Sequence, residues 1–319
     1  MLKFKAPQKI IEIGGVKIGG QPGELPITLI GTIFYEKHEI VKDPQNGVFD
    51  KRKAEELIKK QDELSETTGI PCLFDVVCIS IESAQKYIDF VAGVTDAPIS
   101  IDIMKPQLKS KVINYVGEVG LSDRILYNSL YLPIREDEIN ALKDARIKAS
   151  MLLAYNVRDR TPAGVLSLLK GTDEKKGLLN VAGEAGIEKP LVDTTIFTYI
   201  PSIGVGAKAC SLVKDELGVP VGGAPGNATT VWTKTKEWGM DIYKACEAAS
   251  EVVPVVWGCD FLLYGVIESA PWIFPACAAA DAMVSAAART EFGTKALTKK
   301  SPLYKLFPEF IEKLEKAAL

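Results

Sequence analysis

Short apolar, β-branched runs alternate with longer stretches of helical periodicity along the chain, and one run after another stops at a small polar side chain. The runs occupy residues 27–34, 72–77, 99–103, 124–127, 149–154, 190–192, 219–221 and 260–264. Helical spacing of apolar positions fills 50–68, 81–94, 107–119, 135–143, 175–185, 203–217, 229–251 and 269–290. A strand buried on both faces reads as a continuous apolar run, which is what a parallel sheet wrapped by helices requires. Repeated alternation with short connections predicts an α/β fold, a closed TIM (β/α)8 barrel, with residues 1–319 as a single domain. An open doubly wound sheet is the structural rival. It normally carries a glycine fingerprint after its first strand, and Gly31-Thr32-Ile33-Phe34 lacks that form. Gly69, Gly120, Gly186 and Gly218 each close a helical stretch, the punctuation of one repeated unit.

Ahead of the first run, residues 10–13 and 16–18 alternate around Gly14-Gly15, which predicts a two-residue β-hairpin capping the amino-terminal face of the barrel. At the other end residues 308–317 predict an amphipathic helix. Its apolar positions Phe310, Ile311, Leu314 and Ala318 suit the barrel exterior or a subunit contact.

The strand-end residues are Asp102 after PISI, Asn128 after RILY, Asn156 after SMLLAY, Asp193 after KPLV and Asn227 after VPVGGAPG. In a parallel barrel all strand carboxyl ends meet on one face, so these residues predict the lining of one pocket. An ionised carboxylate only accepts hydrogen bonds, so Asp102 and Asp193 suit a ligand with adjacent N–H donors, such as an amino-pyrimidinone ring; Asn128 and Asn156 can donate and accept at once. Taken singly, each Asp could cap a helix or turn, and each Asn could satisfy backbone groups. Gly222, Gly223 and Gly226 allow close backbone approach, so their loop can bend over a ligand and present Asn227. A phosphate site built from glycine amides competes for the same loop, but the nearest following cation is Lys234.

Charge and composition narrow the chemistry. A net charge of −3, with lysines interleaved among acids, offers no basic block for nucleic acid or an anionic membrane. Neither a signal segment nor an uncharged membrane-length run is evident, because the Ala-rich stretch 272–288 contains Asp281 and Pro275; a cytoplasmic protein without direct membrane insertion is expected. The six cysteines show no C-x-x-C spacing and are expected to be small buried residues. With His38 as the one histidine, a multi-histidine zinc site is impossible and a Ser-His-Asp arrangement has only that residue to use; His38 reads best as a locally bonded loop residue. No metal site is expected.

Several longer motifs carry a resemblance. IGGQPGE, GTIFY, GVFD, YIDFVAGVTDAP, EVGLSDR, YNS, VDT and FPACAAADAMVSAAA together resemble the H subunit family of tetrahydromethanopterin S-methyltransferase, over nearly the whole chain. Relatives within that family include enzymes that move a methyl group between a corrinoid protein and tetrahydrofolate, with the pterin lying across the carboxyl-terminal face of a barrel. The resemblance implies that Asp102, Asn128 and Asp193 hold the pterin's amino-pyrimidinone edge and that Asn227 contacts N5. Asn156, Gly222, Gly223 and Ser269 complete the expected pterin-binding set, with Asn227 and Asp193 as the catalytic pair. Where the family pattern commonly has a His before the Asn, this chain has Gly226, and TIFTYIPSIG follows VDT; both features lean the expectation toward tetrahydrofolate, with tetrahydromethanopterin as the alternative. A cobalamin-binding D-x-H-x-x-G motif is absent, so the corrinoid is expected on a separate partner protein. A homodimer is the family expectation. Two other classes are open: a pterin-ring synthase of the dihydropteroate synthase type, which would need a basic diphosphate site, and a noncatalytic pterin-binding subunit.

Overall fold

In the computed structural model, which describes residues 3–317 and the side chains of residues 3–313, eight parallel strands close into a barrel. They are β1 (Thr28–Ile33), β2 (Cys72–Cys78), β3 (Ile99–Ile103), β4 (Ile125–Leu130), β5 (Ala149–Leu153), β6 (Lys189–Asp193), β7 (Val221–Gly223) and β8 (Phe261–Val266). Neighbours in sequence are neighbours in the barrel, and β8 closes it by pairing Phe261 with Thr28 of β1. The TIM-barrel expectation is therefore met.

Strand alternation sorts the side chains into two cores. On β2, Cys72, Phe74, Val76 and Cys78 face the outer helices, while Leu73 joins Ile30, Leu126, Met151, Leu191 and Phe261 in an apolar plug inside the barrel. The amino-terminal hairpin, Ile10–Ile13 with Val16–Gly19, seals this plug from below, contributing Ile11, Ile13 and Ile18. Its turn requires positive φ at both central residues, and Gly14 (49°) and Gly15 (86°) adopt it without a side-chain penalty.

The outer layer includes α1 (Lys51–Thr68), α2 (Ile81–Val94), α3 (Lys109–Glu118), α4 (Glu136–Asp144), α5 (Pro162–Lys170), α6 (Ser202–Leu217), α7 (Met240–Val256) and α8 (Ala270–Phe292). Asp50 starts α1 by accepting a hydrogen bond from the Lys53 amide at 3.2 Å, so an otherwise orphan helix amide is satisfied. Three helix expectations change. Helix α5 was not foreseen, because its short PAGVLSLLK run begins at proline and shows little more than two turns of pattern. The helix expected from residue 175 begins instead at Leu178, since Gly171–Thr172 and Lys175–Lys176 pair as a small hairpin. The single helix expected over 229–251 is three pieces, Pro225–Val231, Lys234–Glu237 and α7, interrupted at Gly239, whose φ of 102° no α-helix contains.

The segment Ile267–Phe292 is long and apolar enough to cross a membrane, yet half of its most apolar window is buried against the rest of the chain. Ile273, Phe274, Cys277 and Ala278 of α8 are fully buried in the outer core. The terminal helix Pro308–Ala317 forms where expected and buries Ile311 with Ala282 and Leu303, while Phe310 stays exposed; Leu314 and Ala318 lie outside the described side chains.

Candidate active site

Above the apolar plug the barrel interior turns polar, and it opens at the carboxyl ends of the strands into a cavity of about 840 Å³. Asp102 (β3), Asn128 (β4), Asp193 (β6) and Asn227 (after β7) all line it, with Thr32, Asp75, Leu153 and Leu263. Residues separated by more than 120 positions in sequence thus share one wall because parallel strands deliver their ends to one face.

Each polar group has a distinct state. Asp193 is buried and accepts one hydrogen bond, from the Thr195 amide at 2.7 Å; burial pushes it up to about 6, against that bond. Thr195 holds this turn at a φ of 60°, a conformation β-branched residues rarely adopt. Asp102 is pushed up to about 8 by burial first and by the charge of Asp75 second, opposed by Lys109. Asn128 donates through Nδ2 to Asp75 Oδ1 at 3.1 Å. Asn227 is exposed near the start of a short helix, its amide tied to the Ala224 carbonyl at 3.2 Å.

Asp75 is the group that sequence reasoning missed. It is 2% exposed, in the middle of CLFDVVC, and accepts from Ser100 Oγ at 2.6 Å, Asn128 Nδ2 at 3.1 Å and Thr32 Oγ1 at 3.1 Å. Burial raises it above the usual carboxylate range, against those three hydrogen bonds. The available signal was a lone charge inside an apolar run, at an inward position by alternation with Leu73 and Val77.

Four expected binding residues stand away from the cavity. Asn156 ties its own loop together, donating to the Gly164 carbonyl at 3.0 Å and accepting from the Arg158 and Asp159 amides at 3.1 and 3.2 Å. Ser269 is 1% exposed in the helical layer, where its Oγ donates to Glu247 Oε2 at 3.0 Å beside the Trp272 indole N–H. Gly222 and Gly223 are buried strand residues. A Cβ on Gly222 would sit 2.0 Å from the Phe261 carbonyl oxygen, so close strand packing by itself requires glycine there. Gly226 is similarly constrained: a Cβ there would meet the Tyr264 carbonyl at 2.5 Å, so the short helix carrying Asn227 lies flat against β8.

His38 is buried and locally bonded. Its Nδ1 accepts from the Phe34 amide at 3.0 Å, which leaves the proton on Nε2, 2.8 Å from Glu268 Oε1 in ion-pair range but off hydrogen-bond geometry. The ring stacks on Tyr35 at 4.2 Å. All six cysteines are free and five are buried, with Cys72 pushed up to about 12 by burial. No cluster of three or more His, Cys, Asp or Glu suited to a metal occurs among the described residues. The lysines lining the cavity, Lys37 and Lys105, come from the loops after β1 and β3, so the late glycine loop carries no cation to support a phosphate there.

Residues 6–297 match the family described as tetrahydromethanopterin S-methyltransferase MtrH subunit. The chain belongs to this family. The H subunit of tetrahydromethanopterin S-methyltransferase from Methanothermobacter thermautotrophicus is 41% identical, over 96% of this chain and all of that protein. Its counterpart from Methanopyrus kandleri is 40% identical over 87% of this chain and 91% of the relative. The H subunit of the putative methyltransferase mtx from Methanosarcina barkeri is 41% identical over 90% of this chain and 94% of the relative. This MtrH-family barrel also superposes on dihydropteroate synthase of Yersinia pestis, with a TM-score of 0.59 and 14% identity, covering 87% of this chain and all of that one. At that identity the likeness is one of fold alone. As an MtrH-family member, the chain is a methyltransferase subunit by descent, and this cavity, apolar-walled with a few convergent polar groups, is the place to seek its chemistry.

Proposed function

We propose that the chain moves a methyl group between N5 of tetrahydromethanopterin and a corrinoid carried on a separate partner protein, as the H subunit of a larger methyltransferase. The observation that carries this reading is the convergence of Asp102, Asn128, Asp193 and Asn227 on one cavity large enough for a reduced pterin. The pterin differs from the tetrahydrofolate expected from sequence. Full-length relatives at about 40% identity are named for tetrahydromethanopterin, and the Gly226 departure has a packing cause at Tyr264 that says nothing about the ligand.

A bicyclic pterin offers a ring N–H and an exocyclic amine side by side. The ionised Asp193 accepts from such a pair, while the Asn128 oxygen and the Asp102 carboxyl meet its remaining polar edge. The methylated nitrogen is a poor leaving group because the departing methyl leaves its bonding electron pair on N5, so the transition state needs a proton or a hydrogen bond at that atom. Asn227 cannot supply the proton, but its side-chain oxygen can accept from a protonated N5 and so hold the proton in place, with water as the source. In reverse the N5 lone pair attacks the methyl carbon, and the same amide orients it. The corrinoid supplies the cobalt that exchanges the methyl group. The one histidine is committed to Phe34 and Glu268, which supports a corrinoid held by the partner and not by this chain.

The test is to mix the purified chain with methylcobalamin and either tetrahydromethanopterin or tetrahydrofolate and follow loss of the cobalt–methyl absorbance. Turnover with tetrahydromethanopterin is expected. Turnover with tetrahydrofolate alone would restore the folate reading, and tight pterin binding without exchange would make the chain a noncatalytic binding subunit.

A further inference from the structure

Directly beneath the ligand-facing residues, Asp75 gathers three hydrogen bonds from three different strands while being 2% exposed. We propose that Asp75 is a positioning residue: it orients Asn128 by a direct hydrogen bond, shares one inward wall with Asp102, and so sets which hydrogen-bonding groups the β3–β4 wall presents to the ligand. The ligand's identity rests on the pterin reading above, whereas the positioning rests on the hydrogen bonds of Asp75, the strand register and the burial of both carboxyls.

Two consequences follow from that geometry. The Ser100 and Thr32 hydroxyls can rotate, but the Asn128 amide can reach Asp75 only as a donor if Asp75 is a carboxylate. Its nitrogen is therefore turned down at 3.1 Å, and its oxygen has no partner among the described residues and faces a ligand as an acceptor. Asp75 also acts on Asp102. Register pairs Asp75 with Ser100, two positions before Asp102 on the same inward side of β3, so the two carboxyls share one stretch of low-dielectric wall. Two such carboxyls do not both ionise readily. The three donors favour charge on Asp75, which leaves the proton on Asp102 and makes it a donor at neutral pH. Other ionisable groups near Asp102 are Lys109 at the start of α3, which opposes the effect, the Cys78 thiol and Tyr127 hydroxyl, which burial keeps neutral, and Glu36, Lys37, Lys105 and Asp193, which line the same cavity. Lys109 is itself engaged, donating to Glu138 at 3.0 Å and to the Ser129 carbonyl at 3.1 Å.

Carboxyl carbon NMR of aspartate-labelled, ligand-free protein reads this directly. One signal titrating near pH 8, and missing in Asp102→Asn, is expected in the wild type. In Asp75→Asn the same signal should titrate about one pH unit lower or more. A midpoint that does not move overturns the proposal. Should Asp75→Asn fail to fold, Ser100→Ala removes the shortest bond on Asp75, moves charge off it, and is expected to shift the Asp102 midpoint the same way; no shift there also overturns it. Tetrahydromethanopterin affinity measured against pH then supplies the functional arm. Asp75→Asn should bind about tenfold more weakly and lose affinity at a lower alkaline pH than the wild type. A loss of affinity with an unmoved alkaline limb is the mark of a merely structural role and counts against the proposal. If the wild type binds no tetrahydromethanopterin, the pterin reading fails while the NMR result still decides the positioning.

Discussion

Asp193 meets the cavity with one donor on its carboxylate among the described residues, the Thr195 amide, and burial pushes it up to about 6. Only the ionised form accepts hydrogen bonds on both oxygens, so ligand affinity should be full above that value and fall about tenfold per pH unit below it. Calorimetric titration of the pterin between pH 4.5 and 8 checks this, and Asp193→Asn should remove the acidic limb and weaken binding about 10- to 100-fold. A limb that persists in the variant assigns it to another group. Asn227 makes the complementary case. Its side chain is exposed and bonded to no other described residue, so Asn227→Ala should leave the barrel intact and, on the proposed function, remove one contact at N5. Since that contact matters most when charge develops on nitrogen, kcat should fall by about 100-fold while pterin affinity changes by about threefold or less. Equal losses in both would place Asn227 in ground-state binding. At this scale the sequence was readable where a polar residue ended an apolar run: Asp102, Asn128, Asp193 and Asn227 all reach the cavity. The same signal at Asn156 marks a loop that holds itself together away from the cavity, and Ser269, expected only within the family's binding set, sits at a helix start in the outer layer. The sequence was silent at Asp75, because a charge within CLFDVVC looks like an interruption until strand alternation assigns positions 73, 75 and 77 to the inside.

Among the elements, the strands were legible because burial on both faces leaves little choice of residue, whereas helix breaks depended on tertiary packing. The region after β7 shows why. Residues 229–251 have continuous helical spacing, yet the chain must first fold the Asn227 helix onto Tyr264 and then turn at Gly239 before α7 can run along the barrel. Gly226→Ala would push that helix off β8, since its Cβ would lie 2.5 Å from the Tyr264 carbonyl. Displacement of a few tenths of an ångström or more at Asn227 should lower kcat about tenfold or more with a smaller loss of stability than Gly222→Ala, where a strand pair is forced apart. Helix α7 carries a second tension. Glu251 is fully buried with neither carboxyl oxygen bonded among the described residues, and burial first, then the charge of Glu247, raises it well above the ordinary glutamate value of 4.5. Because the folded state holds that proton more tightly than the unfolded chain, this group's contribution is most favourable below about pH 4.5 and is lost as pH rises toward its folded value. Glu251→Gln should therefore match the wild type near pH 4.5 and exceed it increasingly above, by about 2 °C or more in Tm at pH 8. Thermal unfolding at the two pH values checks it, and a pH-independent difference between the proteins would refute the assignment.

At the scale of the whole barrel, several large apolar side chains are exposed on the segments that follow the strands at the cavity face. Met104, Val157, Phe197, Ile200 and Val231, from the segments after β3, β5, β6 and β7, are 62%, 71%, 46%, 80% and 59% exposed. Single exposed apolar residues need no explanation, but five distributed over the segments of one face, around a cavity that on the proposed function a second reactant must reach, suit a docking ring. A corrinoid is too large for an 840 Å³ cavity that already holds a pterin, so on the proposed function the partner must press its cofactor against the opening. Charging the ring separates the two reactants experimentally. Ile200→Glu combined with Val231→Glu should leave pterin affinity and exchange with free methylcobalamin within about threefold, because neither residue lines the cavity, while transfer from the corrinoid protein slows by about tenfold or more through loss of apolar contact. Steady-state rates with the free and the protein-bound corrinoid, measured side by side, decide the matter. Equal slowing of both would mean that the substitutions disturb the cavity itself, and no slowing of either would move the partner's docking site to another face of the barrel.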